Sequence, residues 1–553
     1  MGAGLIFRRE FSSFLHGGVA APGLLFSGKD VCMNSSLKNL LLVSLVCGST
    51  PVRAQTGPPP GLDDYVESIR SVFDVPGIGL AIVQDGRVVL ARGYGVRMLG
   101  KPGRVDGNTL FGIASNTKAF TATAIGMLVE EGKLEWDATV TRYLPWFRLS
   151  DPYVTREITV RDLLVHRSGL GLGAGDLLWW PASTYNRRDI ALRLSSIPLA
   201  TSFRSAYAYD NVLYLVAGEV IEAVSGQTWE DFISKRILAP VGMQHTTVRH
   251  SAAGEGANAA TPHARINGTV RPVEAFTSDN TNPAGGINSS AAEMAQWLMV
   301  QLDSGRTRGG TPLFSPRTTR QLWTLVTPIR IGDPPPALAA LRPNFRGYAL
   351  GFDVHDYRGM KVVQHTGGLP GYVSEVTMIP QLNLGVVVLT NQESGEAFSA
   401  LTLRILDYYM GAPVVDWKEA FRRTASIRDS VIAFSERRAS AARDTSSRPS
   451  LPLQKYAGRY EDPWYGEVEV KYVKGRLTMR FGHTPSLEGE MEHWQYDTFL
   501  ARWKDPELRA DAFVTFSLNP DGTIERVRMR AASPETDFSF DFQDLLLTPA
   551  GGH

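Results

Sequence analysis

Ser115-Asn116-Thr117-Lys118-Ala119-Phe120-Thr121-Ala122-Thr123-Ala124-Ile125-Gly126-Met127-Leu128-Val129 is the stretch that decides the reading of this chain. From Ala119 onward it lacks a charged face, the pattern of a buried helix rather than a surface one. Three residues make about one helical turn, so Ser115 and Lys118 share a face at the start of that helix. A serine hydroxyl is a poor nucleophile until a base takes its proton, and a lysine whose pKa is lowered by burial can do so. Backbone N–H groups at a helix N-terminus favour negative charge developing there. Ser-x-x-Lys also arises by chance, and Ser35-x-x-Lys38 is a second match. Segments elsewhere in the chain have to choose between them.

The 553 residues leave room for two or three domains and a large core. A net charge of +1 gives no electrostatic case for nucleic acid or an anionic membrane surface. Met33 to Lys38, the apolar run Leu40 to Val46 and the small-residue site Val52-Arg53-Ala54 read as a secretory signal peptide over 33–54. The apolar run is too short to span a bilayer. Residues 1–32 read as an extension ahead of a start at Met33, and the mature protein is expected in the periplasm or outside the cell. Both cysteines, Cys32 and Cys47, precede Ala54, so the mature chain is expected to carry no thiol. No His, Cys, Asp or Glu group has metal-ligand spacing and no glycine-rich phosphate loop is present, so neither metal nor cofactor is expected.

Beyond the linker Gly57-Pro58-Pro59-Pro60-Gly61, the chain reads as an α/β domain over 62–412. Leu62 to Phe73 is an amphipathic helix, and Gly79 to Val83 and Arg87 to Arg92 are strands about the turn Asp85-Gly86. Helices are expected over Ile158 to Val165, Asn211 to Val224 and Ser290 to Leu302, and strands over Lys361 to His365, Val373 to Ile379 and Gly385 to Thr390. Strands at both ends with helices between them predict one sheet closed by the N- and C-terminal hairpins. Residues 413–450 form a linker, and Arg422 to Arg448 reads as helical or partly disordered because it has few large apolar residues. Over 451–548 the pattern alternates with period two, Val468, Val470 and Tyr472 on one strand and Leu477, Met479 and Phe481 on the next. That predicts a small all-β, barrel-like domain.

Three motifs fall in order along the first domain: Ser115-x-x-Lys118, Tyr209-Asp210-Asn211 and His365-Thr366-Gly367-Gly368. Leu163-Leu164-Val165-His166-Arg167-Ser168-Gly169-Leu170, Pro240-Val241-Gly242-Met243 and Pro283-Ala284-Gly285-Gly286 accompany them. On these residues the chain resembles the serine β-lactamase and penicillin-binding-protein superfamily, within it the class C and esterase-like branch of peptidase family S12. Ser35 has no such context. The resemblance implies a β-lactamase-like antiparallel sheet flanked by helices with a helical subdomain. The β domain is similar to the lipocalin-like domain that follows such hydrolase domains in some self-compartmentalising peptidases. That implies a role in homo-oligomer assembly or in gating the cleft.

The resemblance also implies site roles. Ser115 is the nucleophile that becomes an acyl-enzyme, and Lys118 takes its proton or holds a neighbouring base. Tyr209 accepts that proton or returns one to the leaving group. Asn211 orients the lysine and the substrate amide. Gly367 and Gly368 let the strand approach the substrate, and the N–H groups of Gly368 and Ser115 form an oxyanion hole. His365 departs from the lysine that opens this motif in β-lactamases, which leaves it as a weak carboxylate anchor or as a base. His166 reads as structural, and Trp179, Trp180 and Tyr185 read as pocket walls or core. The expected activity is hydrolysis of an ester, amide or peptide bond, including D-amino-acid peptides. The alternatives are a β-lactamase or DD-carboxypeptidase and, outside enzymes, a penicillin-recognising sensor or a scaffold.

Overall fold

The computed structural model describes residues 57–253 and 258–551. The predicted signal peptide, the segment before it and both cysteines lie outside the described residues.

The first domain is built on an eight-stranded antiparallel sheet. Its strands are β1 (Gly77–Gln84), β2 (Arg87–Gly95), β3 (Thr327–Pro328), β4 (Arg346–Tyr348), β5 (Asp353–Tyr357), β6 (Met360–Leu369), β7 (Tyr372–Ile379) and β8 (Leu384–Thr390). They run β2-β1-β8-β7-β6-β5-β4-β3 across the sheet. The hairpin-closed sheet expected from the sequence is present, extended by β3, β4 and β5. These three strands are short and polar and carry little apolar signal.

Side-chain alternation sorts the central strands between two cores. Ile78, Leu80 and Ile82 of β1 and Val386 and Val388 of β8 pack with helices α1 (Leu62–Val72) and, later in the chain, Gly395–Tyr409. Ala81, Val83, Val387 and Leu389 face the opposite core, with α2 (Thr117–Glu130), α3 (Val212–Ser225) and α4 (Ala291–Leu302). Both faces of these strands are covered, so they read as continuous apolar runs. In α2 every residue from Thr117 to Leu128 is buried, as the absence of a polar face required. Phe120 of α2 stacks on Trp297 of α4 at 4.0 Å.

The helix expected over 158–165 shortens to a single 3₁₀ turn at Asp162–Leu164. Asp162 accepts the Thr159 backbone N–H and is held by Arg167 and Arg204, and His166 at φ 54° turns the chain out of helical geometry. Of the segment Arg422 to Arg448, read as helical or partly disordered, the part up to Ala441 belongs to a continuous helix over Trp417–Ala441, docked through Trp417, Phe421 and Ile432, and the rest is turn and coil. No helix among the described residues is long and apolar enough to cross a membrane.

The C-terminal domain is a nearly closed eight-stranded antiparallel barrel between Gly458 and Pro549. Its last short strand pairs with its first, Tyr460 opposite Pro549. Val527 then bridges to Leu547 beside that last strand. Val468, Val470, Leu477, Met479 and Phe481 point inward as the alternation predicts, whereas Tyr472, near a strand end, is exposed. The domains meet where the Thr184 N–H donates to the His483 carbonyl (2.9 Å) and Arg193 donates to the Trp464 carbonyl (2.9 Å). Tyr185 also donates its hydroxyl to the Tyr465 carbonyl there, so it serves the domain junction.

Candidate active site

Ser115 sits in a 3₁₀ turn, Ala114–Asn116, that runs straight into α2. Ala114 has φ 49°, the left-handed region that costs a non-glycine residue energy. The turn is pinned from several sides. The Ile113 N–H donates to the Ile287 carbonyl (2.9 Å), Ser374 Oγ donates to the Ile113 carbonyl (2.8 Å), and Asn116 Nδ2 donates to Ser374 Oγ (2.8 Å). A strained turn held this firmly fixes where the Ser115 hydroxyl points.

Lys118 is wholly buried, and its Nζ has three neighbours. It donates to Asn211 Oδ1 (2.8 Å) and to the Ala284 carbonyl (3.0 Å), and it lies 3.0 Å from Ser115 Oγ. The first two are obligate acceptors. They use both N–H groups of a neutral amine and leave its lone pair for the Ser115 hydroxyl proton. Burial pushes the lysine down to about 7, opposed by the nearby carboxyls of Asp176 and Asp210. Asn211 cannot turn its amide round, because its Nδ2 donates to Asp176 Oδ2 (2.9 Å).

Tyr209 is buried, with its ring 5.0 Å from Lys118 Nζ. Burial holds its hydroxyl well above the usual phenol range, with a side-chain hydrogen bond to the adjacent Ser115 opposing the rise. It is therefore a phenol at neutral pH. His166 packs on the Tyr209 ring at 4.2 Å and accepts the Asp210 backbone N–H at Nδ1 (3.2 Å).

Strand β6 forms the opposite wall. It pairs with β7 as far as Leu369 but with β5 only from Met360 to Gln364, so one edge from His365 to Leu369 is open. A Cβ on Gly367 would stand 2.2 Å from the Ile113 carbonyl oxygen and 2.9 Å from Ala114 Cβ, both on the turn that carries Ser115. Gly367→Ala is thus expected to displace that turn and lower kcat/KM on the order of a hundredfold, with circular dichroism unchanged. Wild-type rates on a p-nitrophenyl ester would show that the close approach is not needed.

His365 is buried and uses both ring nitrogens. Nδ1 lies 2.6 Å from the Thr366 carbonyl, which can only accept, so Nδ1 carries the proton and Nε2 accepts the Tyr348 hydroxyl (2.7 Å). Burial, reinforced by Lys118, pushes the imidazole down to about 3. His365 is thus neutral and offers no fixed positive charge to a substrate carboxylate.

Ser115, Asn211, Ala284, Gly368 and Leu369 line one small cavity with Trp179 and His250. Its volume, about 20 Å³, is room for roughly one water. Trp180 lies behind Trp179 against Phe276. Residue type alone did not single out Asp176, a lone acid in a glycine-rich loop. Burial lifts its carboxyl to about 7 although Trp179, Asn211 and Ser539 all donate to it. Among the described residues no group of His, Cys, Asp or Glu could hold a metal ion.

A family model described as beta-lactamase matches residues 62–409, well over half of the chain. The chain belongs to the beta-lactamase family. A domain of unknown function, DUF3471, matches residues 442–549. The chain is 28% identical over 505 residues to the unguisins hydrolase ungD of Aspergillus violaceofuscus, covering 86% of this chain and 88% of that protein. It is 27% identical over 343 residues to protein flp of Staphylococcus aureus, 60% of this chain and 63% of that one. In fold it is similar to the octameric penicillin-binding protein homologue from Pyrococcus abyssi, with a TM-score of 0.56 and 22% identity over 88% of this chain and 98% of that one. It is also similar to a class C beta-lactamase, with a TM-score of 0.51 and 19% identity over 63% of this chain and 94% of that one. This member thus carries the β-lactamase hydrolase fold, with the β barrel as its second domain.

Proposed function

We propose that this protein is an exported serine hydrolase that cleaves ester, amide or peptide bonds through an acyl-Ser115 intermediate. The observation that carries the reading is the lysine's coordination: two obligate acceptors fix Lys118, and its third neighbour is the Ser115 hydroxyl. Lys118 takes the Ser115 proton as Oγ attacks the substrate carbonyl carbon. The oxyanion falls to the N–H groups of Ser115 and of Gly368 on the open edge of β6. As the bond to the leaving group breaks, the leaving group takes a proton from the Tyr209 phenol, which recovers one from the Lys118 ammonium. Water then attacks the acyl-serine, giving up a proton to Lys118, which passes one back to Ser115 Oγ as the acyl–oxygen bond breaks and the acid leaves. A phenol held well above its usual range favours the lysine over Tyr209 as the base.

The neutral His365 supports substrates that need no carboxylate anchor over β-lactams that do. The similarity to a protein named unguisins hydrolase, which spans both domains, supports turnover rather than sensing alone. Export rests on the apolar run Leu40 to Val46 and the Val52-Arg53-Ala54 site. The test combines labelling by a fluorophosphonate with turnover of p-nitrophenyl esters. Labelling and turnover together are expected. Labelling without turnover would make the protein a sensor, and neither would make it a scaffold.

A further inference from the structure

The C-terminal domain reaches the catalytic lysine through a continuous chain of side-chain hydrogen bonds. Ser539 Oγ donates to Asp176 Oδ2 (2.8 Å), and the same oxygen accepts from Asn211 Nδ2 (2.9 Å). Asn211 Oδ1 in turn accepts from Lys118 Nζ (2.8 Å). Two residues after Ser539, Asp541 accepts the Gly175 N–H at Oδ2 (2.7 Å) and the Leu177 N–H at Oδ1 (3.0 Å), bracketing Asp176. One residue before it, Phe538 lies edge-on to the Tyr209 ring at 6.2 Å. Asp176, Ser539 and Asp541 are all buried. The other Asp176 oxygen accepts Trp179 Nε1 (2.8 Å), so the same carboxyl also fixes the indole that walls the cavity.

From this geometry we infer that Ser539 and Asp541 of the β barrel are positioning residues for catalysis, acting through Asp176 and Asn211 on Lys118. The inference rests on the reading of Lys118 as the base. The barrel is then more than an assembly module, since it contributes the last link that orients the catalytic dyad. A buried carboxyl serving three donors from two domains has little freedom to move, and neither has the amide it holds.

The groups that face Lys118 set how its protonation responds. Asp176 and Asp210 favour the ammonium. His166, His250 and His365 are held neutral by burial, and the Tyr209 and Tyr214 rings, 5.0 and 5.2 Å away, are phenols. Asp176 itself faces two carboxyls of the C-terminal segment, Asp537, which raises it, and Asp541, held well above the usual range by burial. Without the Ser539 hydroxyl Asp176 keeps its proton to higher pH, and Lys118 loses an anion that favours its charged form. The acid limb of activity should then move to lower pH.

The test uses the full chain with Ser539→Ala, Ser539→Thr and Asp541→Asn, and an ester substrate across the neutral pH range. Ser539→Ala is expected to lower kcat about tenfold with KM little changed, the scale of one hydrogen bond to a charged group. Its acid limb should shift downward, and Ser539→Thr should restore both. Asp541→Asn should lower kcat at least as far, since an amide cannot accept both N–H groups in the same way. Wild-type kcat and an unmoved limb in Ser539→Ala would overturn the inference. So would a fall in kcat with the limb unmoved and no rescue by threonine, which would mean loosened packing. Fluorophosphonate labelling of the wild type separates the two readings. If it labels Ser115 but the Ser539 variants match wild type, only the inter-domain inference fails; if it does not label, the hydrolase reading fails first.

Discussion

Ser115→Ala is expected to abolish both ester turnover and fluorophosphonate labelling, a loss on the order of 10⁴-fold or more. The variant removes one oxygen, which lies 3.0 Å from Lys118 Nζ. The turn itself is held by Ile113, Asn116 and Ser374, so the melting temperature should stay close to wild type. Activity within tenfold of wild type would show that another group forms the acyl intermediate, and the reading of the three motifs would fall with it.

Lys118→Met should cost about 10²- to 10⁴-fold in kcat/KM, the range for losing a proton-transfer group. Methionine matches the buried stem and keeps α2 packed, so the loss reports the amine rather than a cavity. In the wild type, kcat/KM should rise with pH through about 7, because burial brings the lysine there and only its neutral form can accept the serine proton. The carboxyls of Asp176 and Asp210 are lifted to about 7 as well, so the midpoint belongs to the cluster rather than to one group. The variant should lack this rise. A Lys118→Met enzyme with near-wild-type rate and the same limb would move the general base elsewhere.

The Ser115 turn and α2 were legible because Ser and Lys stand one turn apart at the head of a helix without a charged face, and because later motifs, absent around Ser35, accompany this match. Tyr209 and Asn211 were legible only through the resemblance of Tyr209-Asp210-Asn211 to the family's second motif, and the fold places both beside Lys118 ahead of α3. Asp176 was not, because its meaning lies in partners 35 and 363 residues away, Asn211 and Ser539, and neither sequence spacing nor residue type announces such contacts. His365 was visible as a departure from lysine, but its neutral state follows from burial and from Lys118, which only the fold brings near it. The Trp417–Ala441 helix was ambiguous because three buried anchors in 25 residues hardly differ from the composition of a flexible linker.

The pairing of β1 with β8 sets Ile78 opposite Thr390, so the sheet joins the two ends of the first domain. Closing a loop of about 300 residues costs roughly 5 kcal/mol of chain entropy before any contact between these strands repays it. Such long-range contacts also make folding slow. During synthesis β1 must wait for nearly the whole domain to emerge, with Ile78, Leu80 and Ile82 backed only by α1 and the neighbouring β2 until then. A nascent chain that ends before β8 cannot complete its sheet, so its exposed strand edges invite aggregation or capture by chaperones until the last strand arrives.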